Sequence, residues 1–340
     1  MGKRIVYIVW IVLLVAGCKS RNEVEYSMDA AVNLRYLWET IDTKYCFVEE
    51  KGIDWNKIGE EYMGKMENGL LKIENEEELF DLMAGMLDSL RDGHVNLYSW
   101  FDVSRNKAWY EGYPTNFNSS LLMGKYLTDY RTAGGLYWQI IEADGDSIGY
   151  IYYSSFSNSC GNIAALVSMK MRDCKGIIID VRNNGGGDLE NAYTLAAPFM
   201  EQDEVVGYWQ HKNGPGHFDY SRMEEMKVTA HEKVKWLKPT IVLTNRHCYS
   251  ATNFFVNIMK GHKHIGIIGG KTGGGGGMPM SYELPCGWTV RFSSVKMYDR
   301  EKVSIEEGIE PDKEVTLTST DKDDIVEYAI KVIKKSYEKN

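Results

Sequence analysis

Ser250 stands between two sequence patterns and is the first residue that could carry chemistry. Residues 241–243 form a short apolar run after a proline, which is typical of a buried strand. After the polar turn NRHC, the segment ATNFFVNIMK carries apolar side chains at helical spacing, namely Phe254, Phe255, Ile258 and Met259. A serine at a strand-to-helix junction exposes its hydroxyl at the positive end of a helix dipole, which stabilises a developing anion. The alternative role is helix capping, because serine is a favoured N-cap residue.

His94 is the second candidate for a chemical role. It follows a glycine at the end of an amphipathic pattern and precedes the strand-like run 95–98. A histidine at such a junction can serve as a cation at a helix C-terminus. It can equally be a base held on a rigid element that faces another domain. The sequence alone leaves both roles open.

Two glycine-rich segments could bring backbone N–H groups to a ligand. The segment NNGGGD at 183–188 follows an apolar strand and opens a helix, but it matches neither phosphate-loop pattern. Its glycines could turn N–H groups toward a substrate oxygen, or they could form a tight strand-to-helix turn. The run of five glycines at 273–277 predicts a mobile loop.

The elements that must position these residues fall into two regions. Apolar residues at helical spacing predict three helices, over 28–45, from Asp54 onward, and from Glu76 to Leu90. Their apolar stripes are more typical of a core than of cofactor contacts, and they predict a helical domain over 28–98.

The rest of the chain is predicted to form an α/β core. Near-continuous apolar runs at 176–181 and 240–244, each followed by a helical pattern, indicate parallel strands covered on both faces. This core is predicted to span 149–340 and to end in a helix over 321–337. Residues 99–148 are predicted to form a short β linker region, and 204–236 an insertion near the site.

Composition excludes several classes of partner. The formal net charge is −9 and the lysines and arginines do not cluster, which argues against nucleic acid. The cysteine and histidine spacings lack a zinc pattern, so neither a metal nor a cofactor is expected. An exported context permits disulfides, and Cys160 with Cys174 is the first pair to test; the other cysteines after Cys18 are Cys46, Cys248 and Cys286.

The first residues read as a processing signal. Lys3 and Arg4 precede an apolar run over 5–15, which is too short to span a bilayer as a helix. The ending VAGC resembles a bacterial lipobox, and that resemblance implies that Cys18 is lipidated. Residues 1–17 are then the signal peptide and 18–27 a tether, which predicts an exported lipoprotein of the cell envelope with a membrane anchor. An ordinary signal peptide or a short anchor is the alternative.

Four stretches carry a further resemblance, in this order: LRDGHVNL, GIIIDVRNNGGGD, IVLTNRHCYSATNFF and GIEPDKEV. Together they resemble the tail-specific or C-terminal processing serine peptidases, the family that also contains the tricorn core peptidase. The resemblance implies a crotonase-like, ClpP-related spiral α/β core behind a helical domain, and a site that hydrolyses peptide bonds. It matches Ser250 to the nucleophile, and the N–H groups of Gly186 and Ala251 to an oxyanion hole.

The base is where the sequence departs from the processing peptidases. Their Ser–Lys dyad has its lysine 25 residues after the serine, where this chain has Gly275. Lys271 lies four residues too early. The tricorn-like branch instead uses a histidine, which His94 matches.

The group that orients His94 is also less well matched. The family pattern places a serine directly before the histidine, and Gly93 occupies that position here. The resemblance implies Glu306 as the orienting glutamate, with its neighbour Glu307 as an alternative, and Asp92 is a further candidate.

The region between the two domains is too short for a complete PDZ domain, because only 51 residues separate Leu97 from Gly149. Capture of substrate tails by such a domain is therefore not expected. The prediction is an exported serine peptidase acting on peptides or proteins. The alternative is an inactive lipoprotein that binds a ligand or peptide on the same fold, and an esterase is disfavoured because HCYSA is not a G-x-S-x-G elbow. The distance between His94 and Ser250 separates these alternatives.

Overall fold

A computed structural model describes residues 25–68 and 72–337. The helices are α1 (Ala30–Lys44), α2 (Trp55–Glu67), α3 (Glu76–Asp88), α4 (Ser119–Leu121, continued by a π-helical turn at Leu122–Tyr126), α5 (Ile163–Met169), α6 (Leu189–Ala196, followed by a 3₁₀ turn at Ala197–Phe199), α7 (Ala251–Met259) and α8 (Asp324–Tyr337). The strands are β1 (Asn96–Tyr98), β2 (Arg131–Ala133), β3 (Leu136–Ala143), β4 (Asp146–Tyr153), β5 (Gly176–Asp180), β6 (Glu204–His211), β7 (Glu224–Val228), β8 (Thr240–Thr244), β9 (Ile265–Gly269), β10 (Gly277–Glu283), β11 (Thr289–Tyr298) and β12 (Lys313–Glu314). The predicted signal peptide and residues 18–24 of the predicted tether lie outside the described residues.

The three predicted N-terminal helices are confirmed as α1, α2 and α3. Each begins at a side-chain cap: Asp29, Asp54 and Asn75 accept hydrogen bonds from backbone N–H groups in the first turn of their helices. Helix α3 ends at Asp88 rather than at Leu90, so His94 lies beyond the helix in a turn. None of the helices in the described ranges combines the length and the apolar character needed to cross a bilayer.

A seven-stranded sheet forms the centre of the core, in the order β12-β9-β8-β5-β4-β3-β2. Strands β4, β5, β8, β9 and β12 are parallel, and β2 and β3 extend the sheet as antiparallel strands. All five residues of β5 and of β8 are buried, as expected for strands covered on both faces. The α/β prediction is confirmed. The region 99–148, predicted as a linker, supplies β2 and β3 to this sheet.

A second, antiparallel sheet joins the helical region to the core. Its order is β1-β11-β6-β7, and β10 also pairs with β11. Strand β1 follows the helices and pairs with β11 from the far end of the chain, with Asn96 opposite Arg291. The stretch 204–236, predicted as an insertion, supplies β6 and β7. Apolar side chains of α1 and α3 share one buried cluster with Trp288, Val290 and Phe292.

The glycine run 273–277 was predicted to be a mobile loop, and that prediction is wrong. All five glycines are buried, and the segment lies against the turn that carries Ser250. The Ser250 N–H donates to Gly274 O over 2.9 Å, and the Gly275 N–H donates to Glu306 O over 3.0 Å. A Cβ atom on Gly275 would lie 2.5 Å from the Tyr249 ring, so glycine is required by close packing rather than by mobility.

The candidate pair Cys160 and Cys174 does not form a disulfide in the structure. The five cysteines within the described residues are free and buried. The Cys160 thiol lies 3.3 Å from the carbonyl oxygen of Asn191 on α6 and donates its weak hydrogen bond there. Burial raises the pKa of both thiols to about 11, so they remain protonated, apolar packing groups at neutral pH.

Candidate active site

Ser250 lies on a strained turn between β8 and α7. Its backbone has φ 57° and ψ −122°, a conformation that a residue with a Cβ rarely adopts. Such strain costs about 1–3 kcal/mol and is retained where the surrounding structure imposes it, often at functional sites. Ser250 holds the N-cap position of α7, but its side chain makes no capping hydrogen bond. The hydroxyl is therefore available for another partner.

His94 lies in a tight turn between α3 and β1. Its backbone N–H donates to Asp92 Oδ1 over 2.7 Å, and the Val95 N–H donates to Asp92 O over 3.1 Å. The imidazole is 4% exposed and lies against the Tyr249 ring, with the ring centroids 4.8 Å apart. The turn and the tyrosine together fix the ring, which corresponds to the role of a held base rather than of a helix cap.

The structure brings the two candidates together. His94 Nε2 lies 3.0 Å from Ser250 Oγ, although 156 positions separate them in the chain. For Nε2 to accept the seryl proton, Nδ1 must carry the ring proton. Ser293 Oγ on β11 lies 3.4 Å from Nδ1 and is positioned to accept that proton's hydrogen bond. Ser250, His94 and Ser293 therefore form a continuous series of side-chain contacts.

Ser293 is the functional candidate that the sequence analysis missed. It is fully buried within β11, on the face of the strand opposite to Val290 and Phe292. The available signal was a pair of adjacent serines, Ser293 and Ser294, in a strand that otherwise alternates between apolar and polar residues. The signal did not indicate a partner, because the histidine lies 199 positions away.

The environment of His94 favours the neutral imidazole. Burial lowers the pKa of His94 to about 4, and the Asp92 carboxylate opposes this effect without reversing it. Arg291 and Lys51 lower the pKa further through charge repulsion. His94 is accordingly neutral at pH 7 and able to accept a proton.

Glu306 makes no hydrogen bond to His94, which differs from the role that the resemblance implied for it. Its Oε1 atom pairs with the Lys51 ammonium over 2.9 Å, and its Oε2 atom is buried without a hydrogen-bond partner. Burial and the nearby Asp92 carboxylate raise the pKa of Glu306 to about 8, against the opposing effect of Lys51. Glu307, the alternative, is exposed and lies 3.8 Å from the same ammonium.

Asp92 links the helical region to both candidates. Its Oδ2 atom accepts a hydrogen bond from the Tyr45 hydroxyl over 2.7 Å, and its Oδ1 atom accepts one from the Tyr249 hydroxyl over 3.3 Å. The same Oδ1 accepts the His94 N–H. Asp92 is therefore a buried acceptor that holds the His94 turn, not a partner of the imidazole ring.

The two predicted oxyanion donors differ in availability. A Cβ on Gly186 would lie 2.8 Å from Ser250 Cβ, so this glycine lies directly against the candidate nucleophile. Its N–H, however, already donates to Asn184 Oδ1 over 3.0 Å, so it is not the free donor that the resemblance implied. Ala251 is the first residue of α7, where backbone N–H groups have no partner within the helix. Its N–H therefore remains the available donor of the two.

Lys271, the alternative base, is paired with a residue outside the Ser250, His94 and Ser293 contacts. Its ammonium pairs with Glu310 over 2.9 Å at a position where the lysine side chain is 37% exposed. His94 is thus the group in contact with Ser250 that can take up a proton.

A buried ion-pair network lies directly before the segment 183–188 in the chain, and the sequence patterns did not indicate it. The Arg182 guanidinium donates to Asp180 Oδ1 over 2.9 Å and Oδ2 over 2.6 Å, and to Asp323 Oδ1 over 3.1 Å. All three side chains are fully buried. Removing one member would leave an uncompensated buried charge, which typically costs about 3–5 kcal/mol.

A cleft of about 900 Å³ lies beside the Ser–His pair, between the helical region and the core. Its lining is largely charged or aromatic and includes Lys51, Asp92, Trp109, Arg246, Tyr249 and Glu306. Within the described ranges, no group of three or more His, Cys, Asp and Glu side chains is arranged to hold a metal ion. The arrangement can perform nucleophilic chemistry with a serine and a histidine.

Comparison with known families yields two matches. Residues 147–315 match the model of peptidase family S41, and residues 27–88 match that of the tricorn protease C1 domain. The two matches cover the core and the helical region in turn.

Individual relatives agree with these matches. A solved structure from Parabacteroides merdae, provisionally classed as a peptidase, is 41% identical with a TM-score of 0.83, over 90% of this chain and 97% of that one. The carboxy-terminal processing protease CtpA of Bacillus subtilis (strain 168) is 30% identical over 46% of this chain and 32% of its own length. The carboxyl-terminal-processing protease of Synechocystis sp. (strain ATCC 27184 / PCC 6803 / Kazusa) is 28% identical over 50% of this chain and 38% of its own length. The chain thus spans about a third of the length of these two curated relatives.

Proposed function

Because the chain belongs to peptidase family S41, we propose that it is a serine peptidase that uses Ser250 as nucleophile and His94 as base. The observation that carries the proposal is the 3.0 Å separation of His94 Nε2 and Ser250 Oγ on a strained strand-to-helix turn. An inactive binding protein on this fold would not need a neutral base held within hydrogen-bond distance of a serine.

The first half of the reaction forms an acyl-enzyme. Ser250 Oγ attacks the carbonyl carbon of the peptide bond while His94 Nε2 takes the seryl proton. The carbonyl oxygen becomes an oxyanion beside the Ala251 N–H at the start of α7, where the helix dipole also favours negative charge. His94 then gives its proton to the leaving amine as the C–N bond breaks.

The second half returns the enzyme to its starting state. A water molecule attacks the ester carbon while His94 takes the proton of that water. The bond to Ser250 Oγ breaks, and His94 returns the proton to the serine. Throughout, Ser293 acts as a positioning residue that holds the Nδ1–H tautomer of His94.

Peptide hydrolysis tests the chemical proposal. The full chain is incubated with a peptide library and the cleavage products are identified by mass spectrometry. Ser250→Ala should lower kcat by more than about 10³-fold, and His94→Ala by about 10²–10⁴-fold. Ser168→Ala, which removes a hydroxyl bonded within α5, is the matched control and should retain full activity. Full activity in His94→Ala would assign the base elsewhere, with Lys271 the next candidate.

We further propose that the protein is exported and anchored to a membrane of the cell envelope by lipid on Cys18. The support is the sequence ending VAGC after a short apolar run. A radiolabelled fatty acid should be incorporated into the full chain and not into Cys18→Ala. Equal incorporation in both would contradict the anchor. Its failure would leave the hydrolase proposal unaffected.

A further inference from the structure

Three exposed aromatic side chains, Tyr26, Tyr98 and Trp100, lie around one groove at the start of the described chain. We call these three residues the aromatic patch. Their exposed fractions are 71%, 36% and 82%. The groove has a volume of about 440 Å³, and its lining also includes Met28, Cys286 and Trp288. A solvent-exposed tryptophan beside two tyrosines is a costly arrangement in water, because each ring leaves apolar surface unburied.

Trp100 is held in place rather than loosely displayed. It lies at the tip of a turn in which the Ser99 N–H donates to Asp102 O over 2.9 Å, and the Asp102 N–H donates to Ser99 Oγ over 2.8 Å. Its indole N–H donates to Glu76 Oε2 over 2.9 Å. The polar edge of the ring is thus satisfied by the protein, and its apolar surface faces outward.

The patch is also continuous with the buried core of the helical region. The ring of Trp100 contacts Phe101 edge-on at 5.2 Å, and Phe101 contacts Trp288 at 5.8 Å. Trp288 in turn contacts the buried Phe80 of α3 at 5.7 Å. A contact made by Trp100 is therefore transmitted to a rigid part of the molecule.

The chain enters the structure beside this groove. Glu25 is the first described residue, and the Ser27 N–H donates to Pro285 O over 2.9 Å, one residue from the groove-lining Cys286. Cys18 lies seven residues before Glu25. Since each residue extends a chain by at most about 3.6 Å, a lipid on Cys18 lies within about 25 Å of Glu25. Lys19 and Arg21 fall in this interval.

We propose that the aromatic patch docks on the surface of the membrane that holds the Cys18 lipid. Tryptophan and tyrosine favour the interface between headgroups and acyl chains, where an apolar ring can be buried beside polar groups. The lipid supplies one attachment and the patch a second, so the protein is held in one orientation on the bilayer. The inference requires lipid on Cys18 and is independent of the Ser250 chemistry.

Quenching of tryptophan fluorescence by brominated lipids tests this docking. Full chain carrying its processed N-terminus is reconstituted into phosphatidylcholine vesicles with or without bromine near the headgroup end of the acyl chains. Trp100 is the tryptophan with more than a third of its surface exposed among the described residues. Wild type should be quenched, and Trp100→Phe should lose at least half of that quenching. Trp138→Phe, on β3 beside Arg131, is the matched control and should be quenched like wild type.

A second variant covers the case in which Trp100→Phe misfolds. Tyr26→Ser changes an exposed side chain outside the core and should lower the quenching about twofold, while hydrolysis of a soluble peptide stays unchanged in both variants. If the protein binds the vesicles but Trp100→Phe is quenched as much as wild type, the docking of the aromatic patch is overturned and the lipid anchor is not. Protein that does not float with vesicles would overturn the docking together with the anchor. An emission shift with protein concentration, without bromine quenching, would assign the patch to a second copy of the chain.

Discussion

The Tyr249 hydroxyl donates a hydrogen bond to Asp92 Oδ1 over 3.3 Å, which joins the residue before Ser250 to the turn that carries His94. Asp92 also accepts the His94 N–H, so one buried carboxylate bonds both His94 and the neighbour of Ser250. The Tyr249 ring lies between His94 and Trp109, with centroids 4.8 Å and 4.2 Å away. The geometry of the site therefore depends on contacts between the helical region and the core.

Tyr249→Phe tests this link, because it removes the hydroxyl and keeps the ring. A typical intramolecular hydrogen bond contributes about 0.5–1.5 kcal/mol, and this one is long at 3.3 Å, so kcat should fall about 2- to 10-fold. Tyr45→Phe is the control, since it removes the other phenol from Asp92 at a residue that does not adjoin Ser250. It should lower the free energy of unfolding by about 1 kcal/mol and leave kcat unchanged. Equal changes in kcat for the two variants would contradict a specific role for Tyr249.

Ser293→Ala and Glu306→Gln separate two candidates for orienting His94. Ser293 Oγ faces Nδ1 at 3.4 Å, whereas Glu306 bonds Lys51. Ser293→Ala should lower kcat about 2- to 10-fold with KM unchanged, because the active tautomer is no longer favoured. Glu306→Gln should retain kcat. Above about pH 8, where Glu306 is ionised, the substitution should also lower the free energy of unfolding by about 1–3 kcal/mol, because Lys51 loses a charged partner. A large loss of kcat in Glu306→Gln alone would make the glutamate the orienting group.

Gly186→Ala should damage the site, because Gly186 has φ +100° and a Cβ there would lie 2.7 Å from Tyr249 O and 2.8 Å from Ser250 Cβ. We expect a loss of at least about 1 kcal/mol in stability and a marked fall in kcat. The adjacent Gly185→Ala is the matched control, since no atom lies within 4 Å of the added Cβ. Steady-state kinetics measures kcat and urea unfolding measures stability, for each of the two variants. Equal behaviour of the two variants would contradict the close approach of Gly186 to the nucleophile.

The pH dependence of kcat/KM should reflect the buried state of His94. The reaction needs the neutral imidazole, and burial lowers the pKa of His94 to about 4. Activity should therefore persist as the pH falls through 6.5, the value of an exposed histidine, and should decline about tenfold per pH unit only below about 4. Rates with a peptide of constant charge over this range provide the measurement. An acid limb near 6.5 would contradict the burial of His94 in the free enzyme.

Local sequence patterns predicted those features that depend on neighbouring residues. The strand-to-helix turn at Ser250 and the three amphipathic helices follow from hydrophobic spacing, and the structure has them at nearly the predicted bounds. The pairing of Ser250 with His94 came from motif order, because no local signal connects residues 156 positions apart.

The sequence patterns did not predict the features that depend on tertiary packing. Five consecutive glycines are typical of a mobile loop, yet here all five are buried. Glu306 approaches Gly274 and Gly276 closely, and the Tyr249 ring approaches Gly275. Ser293 contacts His94 only because β11 pairs with β1 across the second sheet. The N–H of Gly186 donates a hydrogen bond to the Asn184 side chain, and a glycine motif gives no indication of that bond.

Covalent labelling of the nucleophile tests the central claim most directly. The full chain is treated with a fluorophosphonate at pH 7, and the adduct is located by mass spectrometry of its peptides. We expect one adduct per chain, located on Ser250, with no labelling of Ser250→Ala and at least about 10²-fold slower labelling of His94→Ala. An unlabelled wild type, or equal labelling of wild type and Ser250→Ala, would contradict the assignment of Ser250 as an activated nucleophile.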